Sequence, residues 1–152
     1  VSLFLLPEPA WAHYHFGWVV NEVYTNASGT NQFVELFNNC CNSQHVFATN
    51  GVSGPASIFS DDTLNEFVFP TDLPSNLTDD KYVLIGTTGF ANLAGAPALD
   101  YTLPSNFFDI TGDTIRFGDG FVGPVFFGTI DSITFGPRPR MGSTRSVRMA
   151  QQ

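Results

Sequence analysis

The sequence predicts an all-β fold of two stacked sheets, and three observations predict it. Short apolar runs recur between clusters of Gly, Pro, Asn, Asp and Ser along the chain. Several runs alternate apolar and polar residues with a period of two, as a half-buried strand does. No segment carries the 3.6-residue apolar period of an amphipathic helix. With 152 residues, the chain suits one domain with its own core.

The first two strands are expected at 18–24 and 32–38, joined by the turn-rich segment Thr25-Asn-Ala-Ser-Gly-Thr-Asn31. Each carries one carboxylate, Glu22 or Glu35, among apolar neighbours. Further short runs at 45–48, 56–60 and 65–69 follow. Within 81–86, Tyr82-Val-Leu-Ile85 is apolar throughout and is expected to be central and covered on both faces. A run at 99–103 precedes the clearest alternation, at 113–118 and 131–135, where Ile115, Phe117, Ile133 and Phe135 are expected to face the core. Gly118-Asp-Gly120 and Gly123-Pro124 read as turns of a hairpin returning through 124–130. A last run lies at 144–148, and no internal repeat is present.

Composition narrows the function classes. Charged residues make up 13% of the chain, about half the usual share of ~25%. Aromatics reach 14%, with sixteen Phe, which implies a large aromatic core and a surface partly covered by a partner. A net charge of −8 would repel phosphates and argues against nucleic acid as a ligand. The cations are uneven: Arg138, Arg140, Arg145 and Arg148 all fall in the last fifteen residues. No run approaches the ~18 apolar residues of a spanning helix.

Three regions are expected. Residues 1–12 read as a signal-peptide remnant or apolar anchor: an apolar run, Val1-Ser-Leu-Phe-Leu-Leu6, then Pro7-Glu-Pro9, then the small-x-small pattern Ala10-Trp-Ala12. Residues 13–136 form the sandwich, closed by the strand near 144–148. Residues 137–152 form a Pro- and Arg-rich tail. Cys40 and Cys41 are adjacent, closer than the usual disulfide range, so thiols or links to another chain are expected rather than a bridge between them.

In order and spacing the motifs resemble the lamin tail domain, in its exported bacterial form. The resemblance rests on Val20-Asn-Glu-Val23, Phe33-Val-Glu-Leu-Phe-Asn38, Leu73-Pro74, Lys81-Tyr-Val-Leu-Ile85, Gly112-Asp-Thr-Ile-Arg-Phe117, Asp131-Ser-Ile-Thr-Phe-Gly136 and Gly142-Ser-Thr-Arg-Ser-Val147. It covers roughly residues 18–148. After Asn38 the chain departs from the family pattern, with Cys40-Cys41 and His45-Val-Phe47 in place of a Leu-Ser-Gly-Trp type strand. The resemblance implies an immunoglobulin-like β-sandwich, an extracytoplasmic setting in a bacterium, and a role in protein interaction as an accessory module. It transfers no catalytic residues.

Site chemistry is sparse. Glu22 and Glu35 could meet on neighbouring strands, and they are expected to pair with Arg116, Arg145 or Arg148 rather than to act as an acid–base pair. Asp61, Asp62, Asp109 and Asp113 offer oxygen ligands of the kind calcium prefers, against the reading of solvated turns. No cofactor is expected apart from that calcium alternative. His13-Tyr14-His15 would suit copper(II) or nickel(II) only if cleavage followed Ala12. No nucleophile elbow or phosphate-cradling loop occurs. The aromatics Trp11, Tyr14, Phe16, Trp18, Phe107, Phe108, Phe121, Phe126 and Phe127 exceed what a small sandwich readily encloses. With Arg138 and Arg140 they are the interface candidates, against the reading that loops fold over them. The expectation is a non-enzymatic protein-interaction module, an accessory or structural subunit of an envelope or membrane-protein complex. A calcium-dependent carbohydrate- or polymer-binding domain is the alternative.

Overall fold

Two four-stranded sheets pack face to face in the computed structural model, which describes residues 15–48, 55–122 and 125–136, with backbone alone at 120–122 and 125–127. The strands are β1 (Trp18–Thr25), β2 (Gln32–Asn38), β3 (Ala56–Ser60), β4 (Glu66–Val68), β5 (Tyr82–Thr87), β6 (Tyr101–Leu103), β7 (Asp113–Val122) and β8 (Val125–Phe135). The first sheet has the order β1-β2-β5-β6 and the second β4-β3-β7-β8. Neighbours are antiparallel except β5 and β6, which run parallel. The chain is an all-β sandwich. No helix among the described residues is long and apolar enough to cross a membrane.

Alternation builds the core, with one change of phase. In β2, Val34 and Leu36 face inward while Phe33, Glu35 and Phe37 face outward. In β1 strict alternation would turn Glu22 inward with Trp18 and Val20. A bulge prevents this: Val20 pairs with Leu36 and Glu22 with Glu35, which leaves Asn21 as the extra residue. Trp18 and Val20 face the core before the bulge and Val23 after it. Ile115, Phe117, Ile133 and Phe135 are buried from the second sheet, as their alternation predicts. Central β5 buries Val83, Leu84 and Ile85 but leaves Tyr82 exposed at its end.

Aromatic rings fill the space between the sheets. Phe47 packs against Phe69 at 4.6 Å, Trp18 at 5.5 Å and Phe117 at 6.0 Å between centroids. Each such pair adds ~0.5–1.5 kcal/mol beyond the area it buries. Much of the Phe content is therefore core.

The elements depart from expectation in five places. Residues 45–48 form no strand, because their carbonyls serve separate partners: Leu73 N–H bonds to His45 O, His15 to Val46 O and Ala56 N–H to Phe47 O. The runs at 124–130 and 131–135 are one strand, interrupted at a register shift opposite Phe117 and Gly118. Gly118-Asp-Gly120 lies inside β7 and is not a turn. A Cβ at Gly118 would collide with the Gly128 carbonyl, so glycine lets the two backbones approach there. A short helix α1 (Thr88–Ala91) follows β5, capped by the Thr87 hydroxyl, which accepts from Phe90 N–H at 3.3 Å. Cys40 and Cys41 are joined to each other, contrary to the expectation from their spacing. The run at 144–148 and the segment 1–12 lie outside the described residues.

Candidate functional site

Polar side chains inside the sandwich decide which aromatics reach its surface. Gln32 is fully buried at the start of β2. Its Oε1 accepts from Phe107 N–H at 2.7 Å, and its Nε2 donates to Phe108 O at 2.7 Å and Thr25 Oγ1 at 3.1 Å. One amide thus stands in for a missing strand and clamps the 107–108 backbone. Phe107 and Phe108 are both buried, 1% exposed, so they are not interface residues. Both rings can turn inward because these residues lie outside any strand, where successive side chains would point to opposite faces. Trp18 is corrected likewise: it is wholly buried, with its indole N–H donating to Gln44 O at 2.7 Å.

Asp113 organises the opening of β7. Its buried carboxylate accepts from Ser60 Oγ at 2.5 Å and from the backbone N–H groups of Thr114 (2.7 Å), Asp62 (3.1 Å) and Asp109 (3.1 Å). Burial pushes its carboxyl above the usual range, with those hydrogen bonds opposing the shift. Asp109 is held below the usual range by Thr111, whose hydroxyl and N–H donate at 2.6 and 2.7 Å. Asp61 receives Nε and Nη2 of Arg116 at 2.7 Å each, which raises the guanidinium further. Both oxygens of Asp61 and Asp113, and Oδ1 of Asp109, are thus engaged by donors of the protein itself. Among the described residues no group of three or more His, Cys, Asp or Glu is arranged to hold a metal ion.

His15 anchors the entry to β1. Its Nε2 lies 2.6 Å from Asp119 Oδ1, and Nδ1 donates to Val46 O at 3.2 Å. The imidazole stacks on Phe16, which is 45% exposed. Of the expected interface aromatics whose side chains are described, Phe16 alone reaches solvent. Trp11, Tyr14, Arg138, Arg140, Arg145 and Arg148 lie outside the described residues. Phe121, Phe126 and Phe127 lie in the β7–β8 arm, whose backbone sets Phe121 opposite Phe126. Their side chains are outside the description.

The outward face of the first sheet is where rings and carboxylates gather. Tyr24 stacks on Phe33 across β1 and β2 at 5.5 Å and 17°, and Phe90 of α1 packs on Phe33 at 4.8 Å. Four residues along β2, a distance of ~13 Å, Phe37 meets Tyr82 of β5 at 4.7 Å. Between these ring clusters Glu22 stands directly opposite Glu35, whose Oε1 accepts from Asn21 Nδ2 at 2.6 Å. Among the described residues neither carboxylate has an ion-pair partner. The expected pairing with Arg116 is therefore corrected, since Arg116 belongs to the second sheet and to Asp61.

No family model matches this chain, and no curated protein matches it.

Sequence reasoning missed the ring cluster on this face, although Phe33-Val-Glu-Leu-Phe37 displays it. In a strand whose Val34 and Leu36 face inward, Phe33, Glu35 and Phe37 must face out together. Tyr24 was harder to place, because the bulge at Asn21 reverses the phase of β1.

Proposed function

We propose that this chain is a non-catalytic protein-interaction module that contacts its partner through the outward face of the first sheet. One observation carries the reading: the rings Tyr24, Phe33, Phe37 and Tyr82 occupy the outer positions of adjacent strands, with Tyr82 57% exposed. Tyr is among the residues that dominate interface energy, because it offers a large apolar body with a polar tip and few torsions to freeze. The resemblance to the lamin tail domain supports the same role, an accessory module in an extracytoplasmic complex. The test is a Tyr24→Ser/Tyr82→Ser variant compared with the wild type by quantitative co-isolation from the native source. At least a tenfold loss of the co-isolated protein is expected, with the fold intact by thermal melting. Recovery of the same protein at the same yield would refute the reading.

A further inference from the structure

We infer that the outward face of the first sheet is an acceptor for arginine side chains, and that its occupant is the chain's own segment 137–152. The inference rests on the reading of this face as a contact surface. It begins with charge placement. Two carboxylates set directly opposite on one sheet face repel each other, yet Glu22 and Glu35 hold this position with no cation paired to them among the described residues. The flanking rings suit the same ligand: a guanidinium forks onto a carboxylate and lays its plane against an aromatic face.

The cations that could complete the arrangement are few. All but Glu8 of the fourteen acidic residues lie between 15 and 136, where the only Lys and Arg are Lys81 and Arg116. Arg116 is committed to Asp61 on the other sheet, and Lys81 makes no ion pair among the described residues. Segment 137–152 has four Arg and no acid. Reach is sufficient. Arg145 follows Gly136 by nine residues and Arg148 by twelve, up to ~30 and ~40 Å of extended chain. The path crosses a sheet separation of ~10 Å and a four-stranded sheet ~14 Å wide. Covalent attachment at this length gives effective concentrations of about millimolar, so the chain's own arginines compete ahead of a dilute basic partner. A partner of the same chemistry must displace them.

The test measures binding of a fluorescent peptide of sequence 137–152 to full-length proteins by anisotropy. The proteins are the wild type, a form with Arg138, Arg140, Arg145 and Arg148 changed to Gln, and that form carrying either Glu22→Gln/Glu35→Gln or Asp79→Asn/Asp80→Asn. The last two lose equal charge, and Asp79 and Asp80 are exposed residues of the turn before β5, outside the Glu22–Glu35 pair. The arginine-free form is expected to bind the peptide at least tenfold more tightly than the wild type. Glu22→Gln/Glu35→Gln is expected to cost at least tenfold, and Asp79→Asn/Asp80→Asn less than threefold. Equal binding by wild type and arginine-free form would overturn occupancy by the chain's own segment. No binding, or equal losses from the two acidic pairs, would overturn the arginine site altogether. In either case the contact-surface reading is judged separately, by the Tyr24→Ser/Tyr82→Ser comparison.

Discussion

The two outward faces of this sandwich are built from the same kind of strand and end in opposite states. On the second sheet, Arg116 closes on Asp61, and Thr114 and Thr134 hydrogen-bond to each other at 2.8 Å across β7 and β8. These four side chains satisfy one another. On the first sheet, rings surround two facing carboxylates and no cation answers them among the described residues. The difference separates a face finished by its own side chains from one that still offers chemistry to another segment.

The most damaging change to this comparison would be release of the interior aromatics, which would create an apolar patch belonging to neither face. Gln32→Ala removes the clamp on Phe107 and Phe108 and leaves their backbone groups buried without partners. It is expected to cost ~2–4 kcal/mol, measured by urea denaturation. Substituting the faces themselves should separate stability from binding. Tyr24→Ser/Tyr82→Ser should cost ~1 kcal/mol per site at most, because both rings are partly exposed, yet should abolish partner retention. On the second face, Asp61→Ala should cost no more than ~1 kcal/mol, since the Arg116 pair is partly exposed and solvent-screened. Partner retention should be unchanged; a loss equal to that of the Tyr variant would erase the distinction between the faces.

The smallest effect concerns pH. Burial raises the Asp113 carboxyl above its ordinary value, so the native state favours the protonated form. Its contribution to stability is complete below the unfolded carboxyl range and is lost as pH rises through the raised value. Asp113→Asn lacks this titration. The stability advantage of wild type over Asp113→Asn should therefore narrow between about pH 4 and pH 7, read as converging denaturation midpoints. A widening gap would contradict the assignment.

The strands were largely legible because most inward positions obey a two-residue period. Val34, Leu36, Ile115, Phe117, Ile133 and Phe135 show this plainly. What escaped were features set by tertiary partners. The bulge at Asn21 is invisible without the β2 register, and the burial of Phe107-Phe108 depends on Gln32, seventy-five residues earlier. The carbonyls of 45–47 bond to three separate segments, at His15, Ala56 and Leu73, which no local pattern encodes. The candidate face was half legible: Phe33, Glu35 and Phe37 share a phase in the sequence, while Tyr24, Tyr82 and Phe90 join them only through the fold.

The most direct measurement places a photo-crosslinking benzoylphenylalanine at position 82 on the first sheet, or at exposed position 134 on the second, and irradiates the protein in its native extract. The account predicts a discrete adduct with another protein from position 82 and none from position 134. Equal adducts from both positions, or an adduct from position 134 alone, would contradict it.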